Sequence, residues 1–122
     1  MNKLVKEKID FIESNFNILT KAQEGSISTL VPMKLWRPQR HFIEHKTNRN
    51  AILKGRQMGI SSGIEADNSE ILFCVPYQRQ CIITHDSETS SFLFENVQRF
   101  YRKTKCSPSM TGNRVQECAF QL

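Results

Sequence analysis

The stretch Asn50-Ala-Ile-Leu-Lys-Gly-Arg-Gln-Met-Gly-Ile-Ser-Ser62 decides how the rest of the chain is read. Ala51, Ile52 and Leu53 form a short apolar run suited to a buried strand. Gly55 and Gly59 follow, and both permit backbone geometry and close approach that larger residues resist. A helix beginning near Ser61 would aim its free N–H groups at an anion. The standard phosphate loop is G-x-x-x-x-G-K-[ST], but here the two glycines are one residue too close and Ile60 holds the lysine position. The same residues also suit an ordinary strand-turn-helix junction capped by Ser61.

Upstream, Val5, Ile9, Ile12 and Phe16 recur at spacings of three and four with charges between them, which predicts an amphipathic helix over Lys3 to Phe16. Thr20 to Pro32 is a polar connector, read as a loop or weak extended segment. Pro38 in a first turn predicts a second helix through about His45, and Lys46 to Arg49 form a polar turn. Downstream, a helix from Ser61 to about Phe73 carries Ile64, Ile71 and Leu72, although Asp67, Asn68 and Ser69 make its middle polar. Cys81-Ile-Ile-Thr84 reads as a second short strand. Ser87 then opens a helix to about Lys103, with Phe94, Val97 and Tyr101 on one face. Arg114 to Leu122 alternates as a third strand would. The order strand, helix, strand, helix implies a parallel sheet.

The chain has 122 residues and a formal net charge of +5, enough length for one domain and a charge that favours a polyanionic partner, nucleic acid first. Cys74, Cys81, Cys106 and Cys118 form no C-x-x-C pair, so neither zinc nor a disulfide framework is implied. No apolar stretch approaches the roughly 20 residues that cross a bilayer, and the N-terminus lacks the apolar core of a signal peptide. The expectation is a cytoplasmic protein with reduced thiols and no membrane partner.

Three blocks in order resemble the N-terminal ATPase region of the large terminase subunit, the DNA-packaging motor of tailed phages. They are Leu35-Trp-Arg-Pro-Gln-Arg-His-Phe42, the Ile52 to Ser62 loop of the R-Q-x-G-x-[ST] kind, and Cys81-Ile-Ile-Thr-His-Asp86 with the helix after it. The resemblance implies an α/β, partial RecA-like P-loop NTPase with a parallel sheet, preceded by an N-terminal amphipathic helix. Residues 1–34 would be that helix and its connector, and 35–122 the first part of the ATPase domain. It further implies ATP and Mg²⁺ as ligands, with Gln39 against the adenine ring. Lys54, Gly55, Arg56, Gln57, Met58, Gly59, Ile60, Ser61 and Ser62 would surround the phosphates.

In this likeness Ser61 holds Mg²⁺, and Arg56 reaches the γ-phosphate in place of the lysine that Ile60 displaces. His85 and Asp86 would couple nucleotide state to DNA grip, or simply close a strand and cap a helix. Partners in the family are double-stranded DNA, the portal protein and the small terminase subunit. Phosphoryl transfer on this scaffold needs a downstream strand ending in acidic residues, and no such segment occurs before Leu122. The expectation is therefore an N-terminal portion of a terminase that hydrolyses ATP poorly or not at all alone.

Other readings stay open beside this one. A helicase-like P-loop ATPase shares the early motifs. A non-enzymatic DNA-binding or motor-interaction module fits the basic charge, with Arg99, Arg102, Lys103 and Lys105 as a DNA track or as complements to a helix dipole. His41-Phe-Ile-Glu-His45 also has the H-x-x-E-H spacing of inverted zinc proteases, with Glu44 as base; a third protein ligand would still be needed, and Glu117 is a candidate by distance in sequence alone.

Overall fold

The structure is a computed structural model that describes residues 2–20, 25, 27–56, 58–104, 109–114 and 117–121, with side chains described no further than Thr104. Its first helix, α1 (Lys3–Asn15), lies where the spacing of three and four puts it, and it starts with the Asn2 side chain accepting from the Leu4 N–H. Ile9, Ile12 and Phe16 are buried along the expected face. The chain then turns back through β1 (Asn17–Leu19) and β2 (Leu30–Pro32), an antiparallel pair with Ile18 opposite Val31. The two ends of the polar connector are thus paired as a hairpin, with mutual hydrogen bonds of Thr20 and Thr29.

α2 (Arg37–His45) carries Pro38 in its first turn, where a missing N–H does no harm. α3 (Ile60–Cys74) and α4 (Ser87–Lys103) also fall close to the predicted spans. α3 is the central element, contacted by α1, α2 and α4, while β1 lies against α4. One core unites them: Ile9, Ile12, Phe16, Met33, Leu35, Ile43, Ala66, Phe73, Val97 and Phe100. Its centre is aromatic, with the Phe16 and Phe100 rings stacked at 4.6 Å and Phe73 edge-on to Phe16 at 6.0 Å.

The expected parallel sheet, and with it the RecA-like α/β class, is overturned. The described strands form two antiparallel pairs, β1 with β2 and β3 (Ser109–Arg114) with β4 (Glu117–Gln121), and helices dominate the rest. Residues 51–54 and 81–84 adopt no strand. Their side chains show why: Leu53 and Ile83 are almost entirely exposed, and Ile52 and Ile82 are exposed too. An apolar run becomes a buried strand only when neighbours supply ladder partners and cover its faces. Here the helices meet that need with one another. Among the described residues no helix is long and apolar enough to cross a membrane.

The polar middle of α3 has a second explanation. Asp67 and Ser69 face inward, and Asp67, only 2% exposed, takes ion pairs from Lys8 of α1 and from Lys46 just beyond α2. What looked like poor helix propensity is an electrostatic junction of three helices.

Candidate functional site

The Gln39 side chain joins α2 to the loop that ends at Gly59 and to the start of α3. Gln39 is 5% exposed. Its Oε1 accepts the Trp36 backbone N–H at 3.0 Å, which caps α2, and its Nε2 donates to the Gly59 carbonyl at 2.7 Å. The block around Gln39 and the block around Gly59, 20 residues apart, are therefore joined by a direct hydrogen bond.

Gly59 is the N-cap of α3 with φ +70, in the left-handed region. A Cβ there would lie 2.9 Å from the Trp36 Nε1, so both conformation and space require glycine. Gly55 has no positive φ, and a Cβ there would make only an ordinary contact, 3.9 Å from the Met58 Cγ, so its backbone makes no such demand. No side chain caps α3, and its first helical bond runs from the Gly63 N–H to the Gly59 carbonyl. The N–H groups before Gly63 are thus available to an acceptor outside the helix.

Ile60 is buried at 7%, so the position that holds lysine in a standard phosphate loop here anchors the helix in the protein. Lys54, Arg56, Met58 and Ser61 are exposed and Ser62 is half-buried. Lys54 Nζ approaches only the Gly55 carbonyl, at 3.5 Å, and Arg56 has no salt bridge among the described residues. Gln57 lies outside the described residues. The loop from Lys46 to Gly59 holds four basic side chains and no acidic one. Lys46 is engaged by Asp67, and the exposed Arg49, Lys54 and Arg56 remain beside an uncapped helix N-terminus, an arrangement that attracts an anion.

Gly63 is a residue that the sequence reading missed. A Cβ there would stand 2.8 Å from the Gln39 Cγ and 3.1 Å from its Cβ. A glycine inside a helical pattern often marks such a close approach, and that was the available signal. Gly63→Ala should push Gln39 off Gly59. We expect a net loss of about 1–2 kcal/mol in urea unfolding, with ~1 kcal/mol of helix propensity offsetting part of the overpacking.

His85 and Asp86 lie elsewhere, at the start of α4. Asp86 caps that helix, accepting the Thr89 N–H at 2.7 Å and the Thr89 hydroxyl at 2.9 Å. These bonds hold its carboxyl below the usual range. His85 is exposed and pairs with Asp86. Nothing described connects the two to Gln39 or the loop.

The basic end of α4 is divided. Arg102 and Lys103 are exposed, whereas Arg99 is half-buried and donates to the Asn96 Oδ1 at 2.6 Å. Lys105 lies outside the described residues. His41 and His45 stack at 4.3 Å, with His45 Nδ1 2.9 Å from the His41 carbonyl. Among the described residues no three His, Cys, Asp or Glu side chains gather as a metal site would require, and the Glu117 side chain is outside them. Comparison with family models, with curated proteins and with solved structures returns no match to this chain.

Proposed function

We propose that the chain is a nucleotide-binding part of a terminase large subunit, which binds ATP with Mg²⁺ at the loop and the N-terminus of α3. The observation that carries this reading is the Gln39 to Gly59 hydrogen bond, which unites two of the three motif blocks at one place. Phosphate oxygens would take the free N–H groups at the start of α3, Ser61 would contribute its hydroxyl to Mg²⁺, and Arg56 or Lys54 would close over the charge. Gln39 already spends one donor and one acceptor on the backbone. It would reach an adenine with its second amide hydrogen and second lone pair, or else serve as the clamp that shapes the loop.

The proposal is limited to binding, because among the described residues no strand ends in acidic side chains that could hold the metal and activate water. Double-stranded DNA, the portal protein and the small terminase subunit are the partners the reading implies. Arg102 and Lys103 at the exposed end of α4 are the cations offered to DNA phosphates.

The test is binding of a fluorescent ATP analogue with and without Mg²⁺, on samples shown by circular dichroism to be folded. Arg56→Ala and Ser61→Ala should each weaken Mg²⁺-dependent binding by roughly tenfold or more, the loss of one charge-assisted contact. Binding that ignores both substitutions, or no binding by the folded natural chain, would remove the nucleotide reading. Salt-sensitive DNA binding without nucleotide binding would instead favour the interaction module.

A further inference from the structure

Glu65 is a buried carboxyl that the nucleotide reading does not use. It lies within the second turn of α3, 4% exposed, on the side that meets α4. Its Oε2 accepts from the Asn96 Nδ2 at 3.0 Å, and the Asn96 Oδ1 in turn accepts from Arg99 Nη1 at 2.6 Å. The other oxygen, Oε1, has no hydrogen-bond partner among the described residues, and neither does Ser69 Oγ, four residues on and on the same helical face. Two neighbouring polar atoms without partners are an uncommon expense in a folded interior.

The charged surroundings do little to keep this carboxyl ionised. From α4 the facing cation is Arg99, held one residue away by Asn96. From α1 the cation that reaches α3 is Lys8, engaged with Asp67 and Glu70, and from the end of α2 it is Lys46, engaged with Asp67. A carboxylate in this position would be a buried charge with one bare oxygen. A neutral carboxyl gains an O–H donor and loses the charge, which suits the site better.

We propose that Glu65 is a proton-controlled latch between α3 and α4: with its proton bound the two helices close on each other, and ionisation admits water and loosens α4. Burial pushes the carboxyl up to about 7, against the opposing pull of Asn96 and Arg99. The folded protein therefore retains a proton that the unfolded chain has already released at mildly acidic pH. The stabilisation is complete below the ordinary glutamate range and is lost as pH rises through about 7. The latch would thus act within the physiological range, on the helix whose N-cap is Gly59.

The experiment compares the natural chain with Glu65→Gln, which keeps an acceptor for Asn96 and removes the titration. In urea unfolding between pH 5 and pH 8, the unfolding constant of the natural chain should rise on the order of a hundredfold relative to that of the variant. The exposed histidines are common to both chains and cancel in the comparison. Hydrogen-exchange protection of α4 amides, corrected for intrinsic rates, should fall with the same midpoint in the natural chain alone. Parallel pH profiles for the two proteins would overturn the proposal. Should Glu65→Gln fail to fold, carbon-13 NMR of the natural chain labelled at its glutamate carboxyls decides: one carboxyl titrating near 7 supports the latch, and all of them titrating in the ordinary range overturns it.

Discussion

Asp67→Ala is expected to lower the free energy of unfolding by about 3 kcal/mol in urea titration. The carboxylate accepts from Lys8 Nζ at 2.7 Å on one oxygen and from Lys46 Nζ on the other, and its side chain is 3% exposed. Removing it leaves two ammonium groups with unequal alternatives. Lys8 keeps Glu70 at 3.0 Å, whereas Lys46 has no other salt bridge among the described residues. Burial pulls the Lys8 ammonium down, but the hydrogen bonds to Asp67 and Glu70 outweigh it and hold Lys8 above its ordinary value. That part of the stabilisation is present at neutral pH and lost only as pH rises past the ordinary lysine range.

The lysines are partly exposed and can turn toward water, which keeps the expected loss at the low end of the range for broken buried pairs. Adding Lys46→Met to Asp67→Ala should recover part of it, because the unpaired charge leaves with its partner. A loss under about 0.5 kcal/mol, typical of an exposed pair, would show that α1, α2 and α3 are not joined there.

This junction also shows where sequence reasoning succeeds and fails on this chain. The four helices were legible because their evidence is local. Val5, Ile9, Ile12 and Phe16 carry the helical period, Pro38 marks a first turn, and Asp86 stands before a long amphipathic run. The sheet was misread because its evidence is not local. Ala51 to Leu53 and Cys81 to Thr84 are apolar runs too short to distinguish a strand from exposed coil, and pairing partners decide between them. Asp67 looked like a weak spot in a helix because spacing does not reveal that two lysines, 59 and 21 residues away, converge on it.

The candidate site divides in the same way. The loop glycine Gly59 was singled out correctly as a position with special backbone demands, and its φ of +70 supplies the reason. Gly55 was singled out on the same grounds, and its conformation makes no such demand. The bond from Gln39 to Gly59 was not legible from either motif alone, since hydrogen bonding across 20 residues depends on how α2 and α3 cross. Gly63 permits that crossing. Glu65 carried no signal at all, because a glutamate three residues past Ser62 reads as an ordinary solvated helix position until α4 covers it.

The largest single loss is expected from Phe16→Ala, about 4 kcal/mol in urea or thermal unfolding. Phe16 is 1% exposed and occupies the point where α1 ends and the hairpin begins. Its backbone is committed on both sides, with its N–H donating to the Ile12 carbonyl at 3.0 Å and its own carbonyl accepting the Met33 N–H at 2.9 Å. Its ring touches three others: it stacks on Phe100 of α4 at 4.6 Å and meets Phe73 of α3 and Phe11 of α1 edge-on at 6.0 and 5.8 Å. Truncation removes both the transferred apolar area and the contacts of a ring-sized cavity among side chains that are themselves rigid aromatics. Phe16→Leu keeps most of the volume and should lose about 1–1.5 kcal/mol. The ratio of the two losses is informative, because a loosely filled core would collapse around alanine and bring them together. A Phe16→Ala loss no greater than that of Phe16→Leu would mean that the stacked aromatics do not hold α1, α3 and α4 in one core, and that the position of α3 must come from its polar contacts, the Asp67 junction and the Gln39 to Gly59 bond among them.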